Sequence, residues 1–144
     1  MYEQTGEGAE EAARESILAA GDGAPRRRLS RTILAIAFIG AGINHFLNPK
    51  FYEPMVPPPL DKQAGPVVAV SGVAEIAGGL GVLLPLTRRL SGASLVALLI
   101  AIFPANIYMA MFPERFKKVP RWGLLARLPL QPLMMWWAWS STRG

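Results

Sequence analysis

The sequence contains no cysteine, which excludes several kinds of chemistry before any motif is considered. A chain without thiols forms no disulfide, thiolate metal site, iron–sulfur cluster or covalently attached c-type haem, and it cannot itself exchange thiols and disulfides. It also has a single histidine, His45, which excludes haem ligation by two histidines. We therefore expect no metal site.

Charged residues are also scarce, at 17% of the 144 residues, against about 25% in average soluble proteins. The formal net charge is nevertheless +5. Nucleic-acid binders carry their basic residues on one solvated face with aromatic residues beside them. Here the basic residues flank apolar segments, so the expected partner is a lipid bilayer and not a nucleic acid.

Four apolar segments with short connections follow one another, at residues 32–47, 66–86, 90–112 and 123–139. About 20 apolar residues in a helix are enough to cross a bilayer. Prolines and Arg127 interrupt the fourth segment, so we expect a kinked helix there. The predicted fold is all-α, an integral membrane antiparallel four-helix bundle formed by residues 30–144.

Residues 1–29 contain no apolar stretch that could offset the entropy of ordering, which predicts a disordered tail. This tail ends in a basic cluster, Arg26, Arg27 and Arg28. Basic residues directly before a first membrane helix favour the cytoplasmic side. With four spans, both termini are expected in the cytoplasm.

Small residues recur on three of the predicted helices, beginning with Ala37 and Ala41 on the first. The third helix has a stripe of alanines spaced by four, Ala93, Ala97, Ala101 and Ala105, which is typical of a face for close helix contact. Gly78, Gly79 and Gly81 lie within the second helix, so they indicate close packing and not a phosphate-binding loop.

Five polar residues interrupt the apolar helices: His45, Glu75, Asn106, Arg127 and Gln131. Polar and ionisable residues inside a membrane are costly, so each is a candidate functional residue. Their positions place all five near the membrane face that bears the loop of residues 48–65, and we expect Glu75 and Arg127 to form an ion pair. The set either fixes the register of the helices or lines a pocket for a polar headgroup or quinone ring.

Several short motifs together resemble the DoxX family of small bacterial membrane proteins over about residues 30–140. The resemblance implies a four-helix protein of the bacterial inner (plasma) membrane, with the same five polar residues as ligand-binding positions. Some family members are associated with quinone-linked oxidoreductases or oxidative-stress complexes, but the family name carries no general catalytic activity. The motifs are Gly42-x-x-His45-Phe46 with Asn48-Pro49-x-Phe51, Ser71-Gly72-x-x-Glu75-x-x-Gly78-Gly79, Pro85-x-Thr87-Arg88, Phe103-Pro104-Ala105-Asn106-Ile107 and Arg127-x-Pro129-x-Gln131.

Three functions stay open at this point. The first is an accessory, redox-associated protein whose pocket binds a quinone or another amphipathic molecule such as a lipid. The second is a non-catalytic scaffold or assembly subunit that contacts membrane or redox partner proteins through the alanine stripe and the Trp-rich end of the fourth helix. The third is a transporter, although the inverted repeats typical of transporters are not evident. No catalytic motif is present, so catalytic residues are unknown.

Overall fold

A computed structural model describes the backbone of residues 4–143 and the side chains of residues 8–14 and 24–143. The described chain is helical with no strand, which confirms the predicted all-α class. Its helices are α1 (Gln4–Leu47), α2 (Pro49–Tyr52), α3 (Ala64–Leu83), α4 (Arg88–Met111) and α5 (Arg121–Thr142). Three single turns of 3₁₀ helix lie in the connections, at Glu53–Met55, Asp61–Gln63 and Pro113–Arg115.

The helix boundaries agree with the prediction to within a few residues, except at the start of α1. This helix begins at Gln4 and continues through Pro25, whereas the prediction placed its start at about residue 32. The chain divides into two units, with the boundary between residues 30 and 31. In the first unit, all the described side chains before Ser30 are exposed, so no burial of these side chains stabilises the helix. Disorder of residues 1–29 in solution stays a prediction.

In the second unit, α1, α3, α4 and α5 contribute to one apolar core. Each of these four long helices supplies at least one side chain that is less than a tenth exposed. Helix α4 packs against both α3 and α5. The central cluster consists of Leu34, Phe38, Val82, Leu95, Leu99 and Ala138.

Glycines allow the helices to approach closely, as predicted for Gly78, Gly79 and Gly81. A Cβ atom on Gly79 would lie 3.0 Å from the carbonyl oxygen of Ala35 on α1. One on Gly78 would overlap the side chain of Leu95 on α4, and one on Gly81 would overlap that of Ser91. A larger residue at Gly79 would push the backbones of α1 and α3 apart, whereas one at Gly78 or Gly81 would displace the side chain of Leu95 or Ser91.

The expectation that the alanine stripe of α4 packs against the other helices of this chain is wrong. Ala93, Ala97 and Ala101 are exposed, and Ala105 is half-buried. Helix α4 instead buries a face that begins with Ser91 and Gly92 and continues through Leu95 and Leu99. That face combines small residues, which admit the neighbouring helices, with leucines that fill the core, and the alanine stripe is left on the outside.

Three helical segments are long and apolar enough to cross a membrane: Ala24–Leu47, Asp61–Leu83 and Arg88–Met111. Helix α5, predicted as the weakest span, is not among them. Many large apolar side chains point outward, for example Ile36 at 66% exposure, Val70 at 68%, Leu90 at 70% and Trp136 at 65%. This outer surface is far more apolar than that of a typical soluble monomer.

A second buried cluster, here called the loop cluster, closes one end of the helices. It consists of Met55, Met109, Phe116 and Leu124, with Tyr52, Tyr108 and Val119 packed against it. Met55 and Phe116 come from the two long connections, and Met109 and Leu124 come from α4 and α5. The loop cluster therefore holds the connection between α1 and α3 over the helix ends.

Candidate functional site

A cavity of about 510 Å³ lies between the four long helices, next to the connection between α1 and α3. This volume falls in the range typical of small-molecule sites. The structure brings all five predicted site residues to this one cavity, although each belongs to a different turn of helix. They are His45, Glu75, Asn106, Arg127 and Gln131.

Most of the remaining lining is apolar and includes Val68, Leu99, Ile102 and Met134. A mostly apolar wall with a few polar groups is the usual composition of a site for an amphipathic molecule. Tyr52 also lines the cavity, although sequence reasoning did not single it out as a site residue. Its position on the short helix α2 could not be read from a periodic pattern, because α2 has only 4 residues.

The closest approach between ionisable groups in the cavity is between His45 and Glu75. The Nδ1 atom of His45 lies 3.8 Å from the Oε2 atom of Glu75, and the two side chains are only 12% and 8% exposed. Both atoms are fully buried, and neither has a hydrogen-bond partner among the described residues. Buried polar atoms are nearly always paired in folded proteins, so this pair requires an explanation.

A close crossing of α1 and α3 places the pair. Gly42 precedes His45 by three residues, and Gly72 precedes Glu75 by three residues, so each glycine lies one turn from its polar partner on the same face. A Cβ atom on Gly42 would lie 3.1 Å from the Cβ atom of Glu75. One on Gly72 would lie 3.0 Å from the Cβ atom of His45.

The histidine ring is also held from the loop side. The Tyr52 ring packs edge to face against it, with ring centroids 4.1 Å apart. The Tyr52 hydroxyl accepts a hydrogen bond of 2.6 Å from the Asn44 side chain. The Asn44 side chain in turn accepts one of 2.7 Å from Asn48. This chain of contacts fixes α2 and His45 together.

The predicted ion pair between Glu75 and Arg127 is absent from the described part of the chain. Arg127 instead directs its Nη1 atom to the sulfur of Met55, at 3.9 Å. The physical reason is the position of Arg127 close to the start of α5, from which its long side chain reaches the loop cluster. Arg127 and Glu75 line the same cavity without pairing. Arg127 therefore places in the cavity a guanidinium that has no ion-pair partner among the described carboxylates.

Asn106 and Gln131 behave differently from the other polar residues, because their amides bond to each other and to the backbone. The Asn106 amide donates to the Gln131 side-chain oxygen, and the Gln131 amide donates to the backbone carbonyl of Leu99. The next carbonyl along α4, that of Ile100, lacks its usual helical donor, because Pro104 has no backbone N–H. Asn106 and Gln131 therefore join α4 to α5. A link of this kind fixes the register of the two helices, which is one of the two roles expected for the polar residues.

The chemistry of the site suits an organic molecule better than a metal ion. The described residues contain no group of three or more histidine, cysteine or acidic side chains that could hold a metal ion. The lining combines apolar side chains with the N–H groups of Arg127 and His45, which can bind oxygen acceptors.

Comparison with curated proteins and with solved structures finds no match. One family model matches residues 34–142 and is described as a domain of unknown function, DUF8561. The matched region contains the core of the second unit and all five candidate site residues. The resemblance to the DoxX family is not tested by these comparisons and stays a prediction. Because the family model matches residues 34–142, most of the chain, the chain belongs to the DUF8561 family.

Proposed function

We propose that the protein is an integral protein of the bacterial inner membrane that holds one amphipathic small molecule between its four long helices. The observation that carries this proposal is the cavity itself. Its wall is mostly apolar, and His45 and Glu75, which line it, each carry a buried polar atom without a hydrogen-bond partner among the described residues. A polar pair of this kind, left without internal partners in an apolar wall, is suited to bind the polar end of a ligand.

The proposed membrane arrangement is an antiparallel four-helix bundle with both termini in the cytoplasm. The three apolar candidate spans support it, as do the outward-facing apolar side chains. Helix α5 would be the fourth span, because it packs along α4 and shares the core through Ala138. The arginine cluster before residue 30 supports the orientation.

In this arrangement the cavity lies in one leaflet, and its ligand would come from the membrane. The proposed role is that of a DoxX-like accessory component, associated with quinone-linked redox or oxidative-stress functions and without catalysis of its own. A quinone is the first ligand to consider, because its ring would lie against the apolar wall while its oxygens meet the polar groups. A lipid is the second.

The test is to purify the protein in mild detergent and analyse an organic extract by mass spectrometry. The wild type is compared with Ala105→Phe, which places a large side chain at the cavity wall. Ala97→Phe is the matched control, because Ala97 is exposed on the same helix and does not line the cavity. We expect a stoichiometric quinone or lipid in the wild type and the control and its loss from Ala105→Phe. The absence of any such molecule from the wild type, or its retention in all three, would contradict the proposal.

A second candidate function is that of a non-catalytic scaffold or assembly subunit, and the exposed alanine stripe of α4 favours it. Small residues let membrane helices approach closely, and the first part of the stripe, Ala93 and Ala97, is exposed and does not line the cavity. Trp136 and Trp139 are exposed at the end of α5. In a scaffold, Ala97→Phe would release a partner subunit, whereas Glu75→Gln would leave the partner bound.

A further inference from the structure

We infer that the ligand carries a hydroxyl group that binds between the Nδ1 atom of His45 and the Oε2 atom of Glu75. The class of ligand is then a membrane-soluble phenol or quinol. This inference rests on the proposed function and specifies it, because it states which chemical group occupies the polar end of the cavity.

The distance between the two atoms allows one oxygen to contact both. They lie 3.8 Å apart, and a hydroxyl oxygen forms hydrogen bonds of roughly 2.8 Å. A single oxygen at that bonding distance from each atom is compatible with this spacing. Both atoms have almost no accessible surface and no hydrogen-bond partner among the described residues. The oxygen therefore enters as the two side chains move apart, and its bonds are made away from bulk water, where they are strong.

The chemistry of the pair selects a hydroxyl over other polar groups. A hydroxyl donates one hydrogen bond and accepts others, so it can donate to the Glu75 carboxylate and accept from the His45 ring in the form that carries a proton on Nδ1. A carbonyl or ether oxygen only accepts, so of the proposed quinone only the reduced form, the quinol, would give the carboxylate a donor. An ammonium group would share the cavity with the guanidinium of Arg127, and like charges in one apolar cavity repel each other.

The other polar side chains around the pair are engaged elsewhere or do not reach it. The Tyr52 hydroxyl accepts from Asn44, and Arg127 is directed to Met55. Asn106 and Gln131 bond to each other. Ser71 lies one turn before Glu75 and also lines the cavity, but it forms no bond to Oε2. No described side chain therefore hydrogen-bonds to the Nδ1 atom of His45 or the Oε2 atom of Glu75, and a bound molecule would supply the missing partner.

The apolar part of the cavity fits the remainder of such a ligand. Val67, Ile102 and Met134 line the wall beyond the pair and would contact a ring and a hydrocarbon tail. Burial of a ring and tail supplies affinity through the apolar area removed from water. The hydroxyl then sets the orientation of the ligand and distinguishes it from molecules of the same shape.

The experiment compares two probes that differ only at the oxygen, 4-hexylphenol and its methyl ether, 4-hexylanisole. Their dissociation constants are measured by calorimetry on the purified full chain in mild detergent. In the wild type we expect the phenol to bind at least about tenfold more tightly, because the ether cannot donate to Glu75. In Glu75→Leu we expect the two probes to bind within about twofold of each other, because the phenol has lost the acceptor for its hydroxyl proton and with it its advantage over the ether.

His45→Phe is the second variant, in case Glu75→Leu does not fold. It removes the donor that both probes use, so both should weaken together while the preference for the phenol persists. Ala97→Phe is the control and should match the wild type.

Equal binding of the two probes to the wild type would overturn the inference and leave the cavity as a ligand site. A preference that persists in Glu75→Leu would overturn the assignment to Glu75. No binding of either probe to the wild type would overturn both the inference and the proposed function.

Discussion

Gly42 of α1 and Gly72 of α3 lie in reciprocal contact, each against the backbone of the other. A Cβ atom on Gly42 would lie 2.6 Å from the carbonyl oxygen of Gly72, and one on Gly72 would lie 2.9 Å from the carbonyl oxygen of Gly42. Only a residue without a side chain allows this approach. Because His45 and Glu75 follow one turn later on the two helices, the separation of the glycines determines the separation of the polar pair.

Gly42→Ala should therefore lower the free energy of unfolding by about 1–3 kcal/mol, since the added methyl group forces the two backbones apart. Gly40→Ala is the matched control, because a Cβ atom there would have nothing within 4 Å. It should be neutral or raise stability by up to about 1 kcal/mol, the usual gain from replacing glycine in a helix. Both are measured by denaturant unfolding in mild detergent, followed by circular dichroism. Similar effects of the two substitutions would show that the crossing is not tight.

Glu75 and Gln131 should respond to substitution in opposite ways, although both are buried. Glu75→Leu removes a buried oxygen that has no hydrogen-bond partner among the described residues, so the ligand-free protein should keep or gain stability. Gln131→Leu leaves the Asn106 amide without its partner and removes the side-chain bond to the Leu99 carbonyl, which should cost about 1–3 kcal/mol. Thermal unfolding of the two variants under the same conditions gives the comparison. A comparable loss in both would make Glu75 a structural residue.

Arg127 and Glu75 should show no energetic coupling, because their charged groups do not pair. In a double-mutant cycle with Arg127→Leu and Glu75→Gln, we expect the two effects to add to within about 0.5 kcal/mol. A buried ion pair would behave differently, since removal of one partner alone typically costs about 3–5 kcal/mol. A coupling of that size would restore the ion pair expected from the sequence.

The proposed orientation can be tested directly because the chain has no cysteine. Lys118 lies in the connection before α5, and Arg89 lies at the opposite end of α4; both side chains are exposed. In intact cells, Lys118→Cys should react with a membrane-impermeant maleimide, whereas Arg89→Cys should react only after lysis. The reverse pattern would invert the orientation. Equal reaction of both in intact cells would contradict a membrane-spanning α4.

The sequence predicted the helices and the glycine contacts well, because both depend on local composition. It also indicated the five cavity residues, since polar residues inside apolar helices stand out against their surroundings. It did not predict which of them pair. The choice of His45 over Arg127 as the neighbour of Glu75 depends on how far α1 rotates against α3, and that rotation follows from a contact between distant glycines.

The alanine stripe illustrates a second limit of sequence reasoning. In a soluble helix the apolar face points inward, so periodicity gives its direction. In α4 nearly every residue is apolar, so periodicity identifies a smooth face without indicating whether it meets protein or lipid. The early start of α1 has another cause. Its first part is rich in alanine and glutamate, which favour helix locally even where no burial is available.

The connection over the cavity also determines how a ligand of this site would be supplied. Met55 and Val56 are buried above the cavity, whereas the lining residues Ala101 and Leu130 are exposed on the sides of α4 and α5. Exchange would then proceed sideways, between the helices and the surrounding lipid. The occupancy of the site would follow the mole fraction of the ligand in the bilayer. Added lipid lowers that mole fraction, so it would empty the site even when the total concentrations of ligand and protein stay the same.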